Sequence, residues 1–272
     1  MNTTKEVRNA LPALITGASG GLGADLARVF ARNGHRLALV ARSRDGLDAL
    51  AAELRREFNA DVTVAAMDLS EAGACARLKA ELDAAGFEPA ILVNNAGFGL
   101  ISRFEDQDSG QLANMVDLNC RALTELTSVF LPPIAAARGK ILNVASLASY
   151  YAGPGAATYY ATKAYVLSLS RALAYELKGA GVTVTALCPG PTRTRFFDRA
   201  SGGTNPMKGM AMMESMPVAE TGYRALMAGR REAVPGLQNW VLAFFSGVTP
   251  QWIALPFVGA IQLRRRNQSS PS

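Results

Sequence analysis

Histidine is almost absent from this 272-residue chain: His35 stands alone. That scarcity excludes any metal site built on several imidazoles. It also leaves a Ser-His-Asp hydrolase one histidine to use, and no G-x-S-x-G elbow accompanies it. His35 falls in "RNGHRLALV", between a helix end and a strand start, where a surface or capping role is expected. Cysteine is scarce too. Cys75, Cys120 and Cys188 are odd in number and far apart, which argues against a disulfide framework or a zinc site. No metal is expected, and a reducing cytoplasm fits this usage.

Charge is sparse, at 18% of residues against 49% hydrophobic, which suits one soluble domain with a large core. The N-terminus is polar and mixed in charge, not basic and then apolar, so no secretory signal is expected. The net charge of +6 is scattered, apart from Arg193, Arg195 and Arg199, the pair Arg230 and Arg231, and Arg264 to Arg266. None of these groups is interleaved with aromatic residues as a nucleic-acid surface would be, so no nucleic-acid partner is expected.

Short apolar runs are present in quantity. Residues 13–19, 36–42, 61–68, 90–97, 139–146 and 181–190 read as buried strands. Helix-period segments lie between them, at about 21–33, 44–59, 71–85, 108–137 and 157–179. Strand and helix alternating at this spacing means parallel strands with right-handed crossovers. The expected fold is therefore a Rossmann-type, doubly wound parallel sheet in three α/β/α layers. Near-continuous Val, Ile, Leu and Ala runs suit strands buried on both faces.

After residue 190 the pattern changes. Residues 191–216 are rich in Gly, Arg and Met, with Met207, Met210, Met212, Met213 and Met216 clustered. A short helix is expected from Pro217 to Ala228, proline being suited to a first helical turn. Residues 233–263 then carry no charge at all, forming an apolar C-terminal extension ahead of a basic and polar tail at 264–272.

The loop "TGASGGLG" places Gly17, Gly21 and Gly23 between the first strand and the first helix. Glycine supplies the φ freedom of a tight turn, bare backbone admits a pyrophosphate, and a helix N-terminus offers N–H donors. At this point the chain resembles the short-chain dehydrogenases/reductases. Thr16-Gly17-Ala18-Ser19-Gly20-Gly21-Leu22-Gly23 matches that family's cofactor loop. Asp68-Leu69, Asn94-Asn95-Ala96-Gly97, Asn119, Ser146, Tyr159 with Lys163, and Pro189-Gly190 with Thr194 follow in order. The likeness covers about residues 10–195 and becomes general beyond them. It implies one domain over 1–272, with a cofactor-binding and catalytic core at 10–195 and a substrate lid at 191–230.

"TYYATKAY" (158–165) poses the sharpest question. On a helix Lys163 neighbours both Tyr160 and Tyr159, so spacing alone does not choose between them. The family pattern Y-x-x-x-K does, and implies that Tyr159 is the general acid/base, leaving Tyr160 and Tyr165 as packing or pocket-wall residues. The resemblance further implies that Ser146 orients the substrate oxygen and that Lys163 binds the nicotinamide ribose. Asn119 would support a water relay to that lysine. Because a nearby ammonium favours phenolate, Lys163 is expected to lower the Tyr159 pKa. Cofactor contacts are implied at Gly17, Ser19, Gly21, Leu22, Gly23, Asp68, Leu69, Asn95, Ala96, Gly97, Tyr159, Lys163, Pro189, Gly190 and Thr194.

The end of the second strand reads Val40-Ala41-Arg42-Ser43, with no acid before Asp45. An acid there would hold ribose hydroxyls, whereas Arg42 suits a 2′-phosphate. NADP(H) is the expected cofactor. The expected activity is hydride transfer to or from a ketone, an aldehyde or a secondary alcohol, on a lipophilic oxoacyl-like or steroid-like molecule. The rival is an NADP(H)-sensing protein without turnover. The resemblance also implies a homodimer or homotetramer through the helices at 108–137 and 157–179. For the uncharged run three arrangements stay open: a spanning helix, a membrane-surface contact, or apolar packing over the cleft or at a subunit interface.

Overall fold

The computed structural model describes residues 10–194, 196, 212–246, 249–250, 252, 254–256 and 258–259. Arg195, Arg199, Met207, Met210 and the tail at 264–272 lie outside the described residues.

The expected strands form. β1 (Ala10–Thr16), β2 (His35–Ala41), β3 (Val62–Ala66), β4 (Ile91–Asn94), β5 (Lys140–Val144) and β6 (Thr183–Leu187) are consecutive strands of one sheet. A seventh, β9 (Glu232–Ala233), extends the edge beside β6 and was not read from the sequence, being only two residues long. The order is β3-β2-β1-β4-β5-β6-β9, and every pairing is parallel. Chain direction across the sheet reverses between β1 and β4. A crevice opens at that switch point, beyond the strands' carboxyl ends. A separate ribbon pairs β7 (Thr192–Arg193) with β8 (Met213–Glu214).

The crossovers are α1 (Gly21–Arg32), α2 (Arg44–Phe58), α3 (Ala74–Ala84), α4 (Ser109–Val116), α5 (Leu123–Ala136) and α6 (Ala157–Glu176). α7 (Ser215–Met227) and α8 (Leu237–Ser246) follow. Local chemistry sets their ends. Ser43 Oγ accepts from Gly46 N at 3.2 Å to start α2, and Asn59 closes it in the left-handed region at φ 51°.

Leu26, Phe30, Leu47, Leu54 and Val218, fully buried, join α1, α2 and α7 to one face of the sheet. Leu78, Leu82, Leu126, Phe130 and Ile134 join α3 and α5 to the other. A polar ladder crosses that second layer. Asn94 Nδ2 donates to Thr127 Oγ1 (3.1 Å) and Asn143 Oδ1 (2.9 Å), and Asn143 Nδ2 donates to Ser170 Oγ (2.9 Å). Buried polar groups this connected hold α5 and α6 in one register over β4 and β5.

Three expectations change. His35 is not a surface cap but 5% exposed: a tight turn delivers it inward as the first residue of β2. Its Nδ1–H donates to Leu11 O (2.7 Å), its Nε2 accepts from Tyr223 (3.0 Å), and its ring packs on Phe30. The helix expected over 108–137 is broken by a π-helical turn at Asp117–Ala122. Met213 and Met216 pack against the core at β8 and α7, so these two members of the methionine cluster are structural.

Candidate active site

Gly17 turns the chain at φ +66°, where a side chain would be strained, and a Cβ there would fall 2.8 Å from Asn95 Nδ2. A Cβ on Gly23 would strike Gly17 O at 2.2 Å, which forces the first turn of α1 against the loop. The NNAG segment clamps this arrangement. Asn95 Nδ2 donates to Thr16 O (2.9 Å) and Gly17 O (3.2 Å), while Asn95 N and Ala96 N both donate to Thr16 Oγ1 at 3.0 Å. The N-cap of α1, Gly20, supplies no side chain to the first-turn N–H groups, and nothing lies within 4 Å of where its Cβ would stand. Open donors at a helix N-terminus suit a pyrophosphate.

Arg42 follows β2 at the same end of the sheet. Its side chain is 67% exposed, and its guanidinium lies 3.6 Å from Asp68 Oδ2. Burial would push the Asp68 carboxyl up, but hydrogen bonds from Ser70 and the nearby Arg42 outweigh it and hold it below its ordinary value. Leu69, implied as a cofactor contact, is 3% exposed, with its side chain in the second core layer. Ser19 is exposed at the loop's edge, and Leu22 is partly buried against the core.

Asn119 occupies the π-turn. A π-turn shifts the register by one residue, and here it aims a buried amide across the helix. Asn119 Oδ1 accepts from Phe98 N (3.1 Å); its Nδ2 donates to Phe98 O (2.8 Å) and Thr162 Oγ1 (3.1 Å). The Thr162 hydroxyl donates to Tyr159 O at 2.8 Å, linking the amide to the helix that carries the tyrosine. Gly97 runs between the two sides of the site. A Cβ there would lie 2.9 Å from Asn119 Oδ1 and 3.7 Å from Lys163 Nζ.

Ser146 follows β5 and caps a 3-10 turn, Leu147–Tyr150. Its Oγ accepts from Ala148 N (3.1 Å), and its own N donates to Ser149 Oγ (3.2 Å). α6 carries Tyr159 and Lys163 across from it. Burial pushes the Tyr159 phenol up to about 12, the Ser146 side-chain hydrogen bond pulling the other way and the Tyr160 charge adding to the rise. The expected lowering by Lys163 is not found. That ammonium donates to Val144 O at 2.8 Å and lies 6.0 Å from the centre of the Tyr159 ring. Burial, partly offset by Cys120 and Cys188, brings Lys163 down to about 8.

Tyr160 and Tyr165 separate from Tyr159. The Tyr160 ring lies edge-on to Tyr159 at 6.2 Å and packs so closely on Gly153 that a Cβ there would meet it at 2.4 Å. Tyr165 is no pocket wall: it is 42% exposed, and its hydroxyl lies 2.8 Å from Thr124 Oγ1 of α5. Helical rotation places it outside.

Two residues beside the phenol were not singled out from the sequence. Phe196 lies 5.4 Å from the Tyr159 ring at 51°, and a Cβ on Gly99 would fall 2.9 Å from both rings. No local pattern marks either one. Pro189, buried, accepts through its O from Leu147 N at 2.8 Å, which ties the loop after β6 to the Ser146 turn. Gly190 is packed by Asn239 of α8, whose Oδ1 lies 2.4 Å from a would-be Cβ. The Thr194 side chain lies against Gly21, with its Cβ 3.3 Å from a would-be Cβ there, so the loop after β6 closes on the first glycine turn.

The apolar extension divides. α8 is exposed nearly all round, with Leu237, Trp240, Phe244 and Phe245 more than half exposed and Trp240 stacked on Phe244 at 5.5 Å. It docks through Asn239, which packs on Gly190 and donates to Met213 Sδ at 3.6 Å, and through Leu242 O, which accepts from Tyr151. Among the described residues, no helix is long and apolar enough to cross a membrane.

A doubly wound sheet with an open helix N-terminus at its switch point, and a serine, a tyrosine and a lysine converging beside it, defines a dinucleotide-type redox site. The short chain dehydrogenase model matches residues 12–203, and the chain belongs to that family. It is similar to sulfoacetaldehyde reductase 2 of Chromohalobacter salexigens, 32% identical over 84% of this chain and 95% of that protein. It also resembles the structure of a short-chain dehydrogenase from Sphingobium yanoikuyae in complex with NADPH: 33% identity, TM-score 0.78, 96% of each chain covered. A third likeness is to the bulky-bulky ketone specific alcohol dehydrogenase from Comamonas testosteroni, at 30% identity and TM-score 0.74, covering 97% of this chain and 96% of that one.

Proposed function

We propose that the protein is an NADP(H)-dependent oxidoreductase that works mainly as a carbonyl reductase on lipophilic ketones or aldehydes, with Tyr159 as general acid. The observation that carries this is the convergence of Ser146, Tyr159 and Lys163 beside the glycine loop. The first-turn amides of α1 would hold a pyrophosphate, and Arg42, mostly exposed beside Asp68, would offer a 2′-phosphate a fork of donors. A bound reduced nicotinamide supplies the hydride. This chain's own residues manage the oxygen. Ser146 Oγ orients the carbonyl oxygen, and Tyr159 Oη gives it a proton as negative charge develops there. Burial keeps the Tyr159 phenol protonated at neutral pH, the form that gives a proton to a carbonyl oxygen. Lys163, fixed by Val144 O, would meet the ribose, and Asn119 would set the spacing between the 97–99 loop and α6. The NADPH complex of the Sphingobium enzyme and the ketone specificity named for the Comamonas enzyme agree with this reading.

A lipophilic substrate would suit the apolar surroundings of the phenol, where Phe196 packs on its ring and α8 lies against Gly190 and Tyr151 nearby. The test is NADPH oxidation against aldehydes, ketosteroids, oxoacyl thioesters and small diketones. Turnover by wild type that is lost in Tyr159→Phe supports the reading. Saturable NADPH binding without turnover on any substrate would instead favour an NADP(H)-sensing protein. The same reading has the protein cytoplasmic and a homodimer or homotetramer through the helices at 108–137 and 157–179, where Tyr175 is 77% exposed. Any membrane contact would be superficial, through α8.

A further inference from the structure

Glu232, on the two-residue edge strand β9, faces the same sheet layer as α6 and belongs to no part of the reaction described above. Its Oε1 accepts from the hydroxyl of Tyr150, the last residue of the turn that Ser146 caps. Its Oε2 accepts from Arg171 Nε at 3.1 Å and Nη2 at 2.9 Å. Arg171 lies on α6, two turns beyond Lys163. Its guanidinium also covers the Tyr150 ring at 5.8 Å. One carboxylate therefore fastens the element carrying Ser146 to the element carrying Tyr159 and Lys163.

The carboxylate itself is held at a fixed place. Ala186 N donates to Arg231 O (2.9 Å), Cys188 N donates to Ala233 O (2.8 Å), and Ala186 is the register partner of Glu232 on β6. The backbone on either side of Glu232 is thus pinned to β6, the next strand of the sheet. Without β9, the Ser146 turn would still be tied by Leu147 N donating to Pro189 O, by its own cap, by Tyr151 donating to Leu242 O, by the Tyr150 hydroxyl beside the Cys188 thiol and by apolar packing.

We infer that Glu232 is a positioning residue, which sets the separation between Ser146 and Tyr159 by clamping Tyr150 on one side and Arg171 on the other. This rests on the proposed reductase reading for its effect on rate, but not for its effect on the turn. Two guanidinium N–H groups converge on Oε2 while Tyr150 occupies Oε1, so the charge-assisted contacts fix geometry as well as energy. A displacement of about 1 Å between two groups that act on one oxygen can cost on the order of 100-fold in rate.

The test uses the full-length protein with Glu232→Leu, and Tyr150→Phe as a second variant that keeps the ring and loses the hydroxyl. Amide hydrogen exchange over 146–153 should quicken at least tenfold in both, with the peptides of β1 and α1 unchanged. With any carbonyl that wild type reduces, kcat should fall about 10- to 100-fold while the KM for NADPH stays within twofold. The two substitutions combined should cost no more than either alone, because they break the same clamp. Unchanged exchange over 146–153 would overturn the inference. So would faster exchange with kcat within twofold of wild type, which would reduce Glu232 to a purely structural role. If wild type turned over no substrate, the reductase reading would fail, and the exchange data alone would decide whether the clamp exists.

Discussion

Tyr159 and Tyr160 are adjacent in the chain, yet they meet different surroundings. Tyr159 lies under Phe196 with Ser146 in hydrogen-bonding reach, while Tyr160 presses on Gly153. Tyr159→Phe should therefore lower kcat by about 10²–10⁴-fold, the size of a lost proton-transfer group, with NADPH affinity nearly intact. Tyr160→Phe should keep most activity. Reversed phenotypes in steady-state assays would show that the wrong ring has been assigned. Arg42 faces a different question, since no acid stands near it before Asp45 apart from its contact with Asp68. Arg42→Asp should raise the KM for NADPH far more than that for NADH. Equal effects on the two cofactors would remove Arg42 from the 2′-phosphate site.

At the scale of elements, His35 joins the starts of β1 and β2 to α7 through Leu11 and Tyr223. Burial lowers its pKa below the ordinary 6.5, against the opposing Leu11 hydrogen bond. The unfolded chain then takes up a proton before the folded one as pH falls. The stability this group contributes is present above about pH 6.5 and is lost as pH drops through the folded value. The wild-type melting temperature should decline below that pH more steeply than that of His35→Gln, which keeps a donor and an acceptor but does not titrate. Parallel melting curves between pH 5 and 8 would exclude His35 as the cause.

For the whole molecule, the open matter is the apolar extension. Asn239 docks α8 on Gly190, and the aromatic residues face outward. An exposed apolar patch of this kind marks an interaction site. Deleting residues 237–272 should leave the sheet and the glycine loop intact, because neither uses α8. NADPH affinity should stay within a few-fold, while kcat/KM for a lipophilic carbonyl should fall at least tenfold. Full-length protein expressed without detergent should sediment as a soluble species. Recovery only in membranes, resistant to high salt and alkaline wash, would replace a role in substrate handling with anchoring.

Much of this was legible in the sequence because it is local. The periods of six apolar runs and five amphipathic ones, with glycines between the first of each, determine a doubly wound sheet whatever the later packing does. The family pattern then picks Tyr159 from two candidates, three and four positions before Lys163. Other features were legible only in part. "VDLNCRAL" reads as helix, yet whether Asn119 faces Phe98 or solvent depends on a π-turn that no periodicity announces. Leu69 and His35 carry polar-loop and turn contexts in the chain, and the fold turned both inward. The Tyr159 pKa ran opposite to expectation because a proximity read along a helix ignores where the lysine's ammonium points, and burial is a property of the whole surround. Glu232 shows the limit most plainly. It is a lone acid between Arg231 and Ala233 in the chain, and only parallel pairing of β9 with β6 brings it to Tyr150 and Arg171, 82 and 61 positions away. Sequence determines what each segment is. Contacts between distant segments, and the dielectric they enclose, exist only once the sheet has closed.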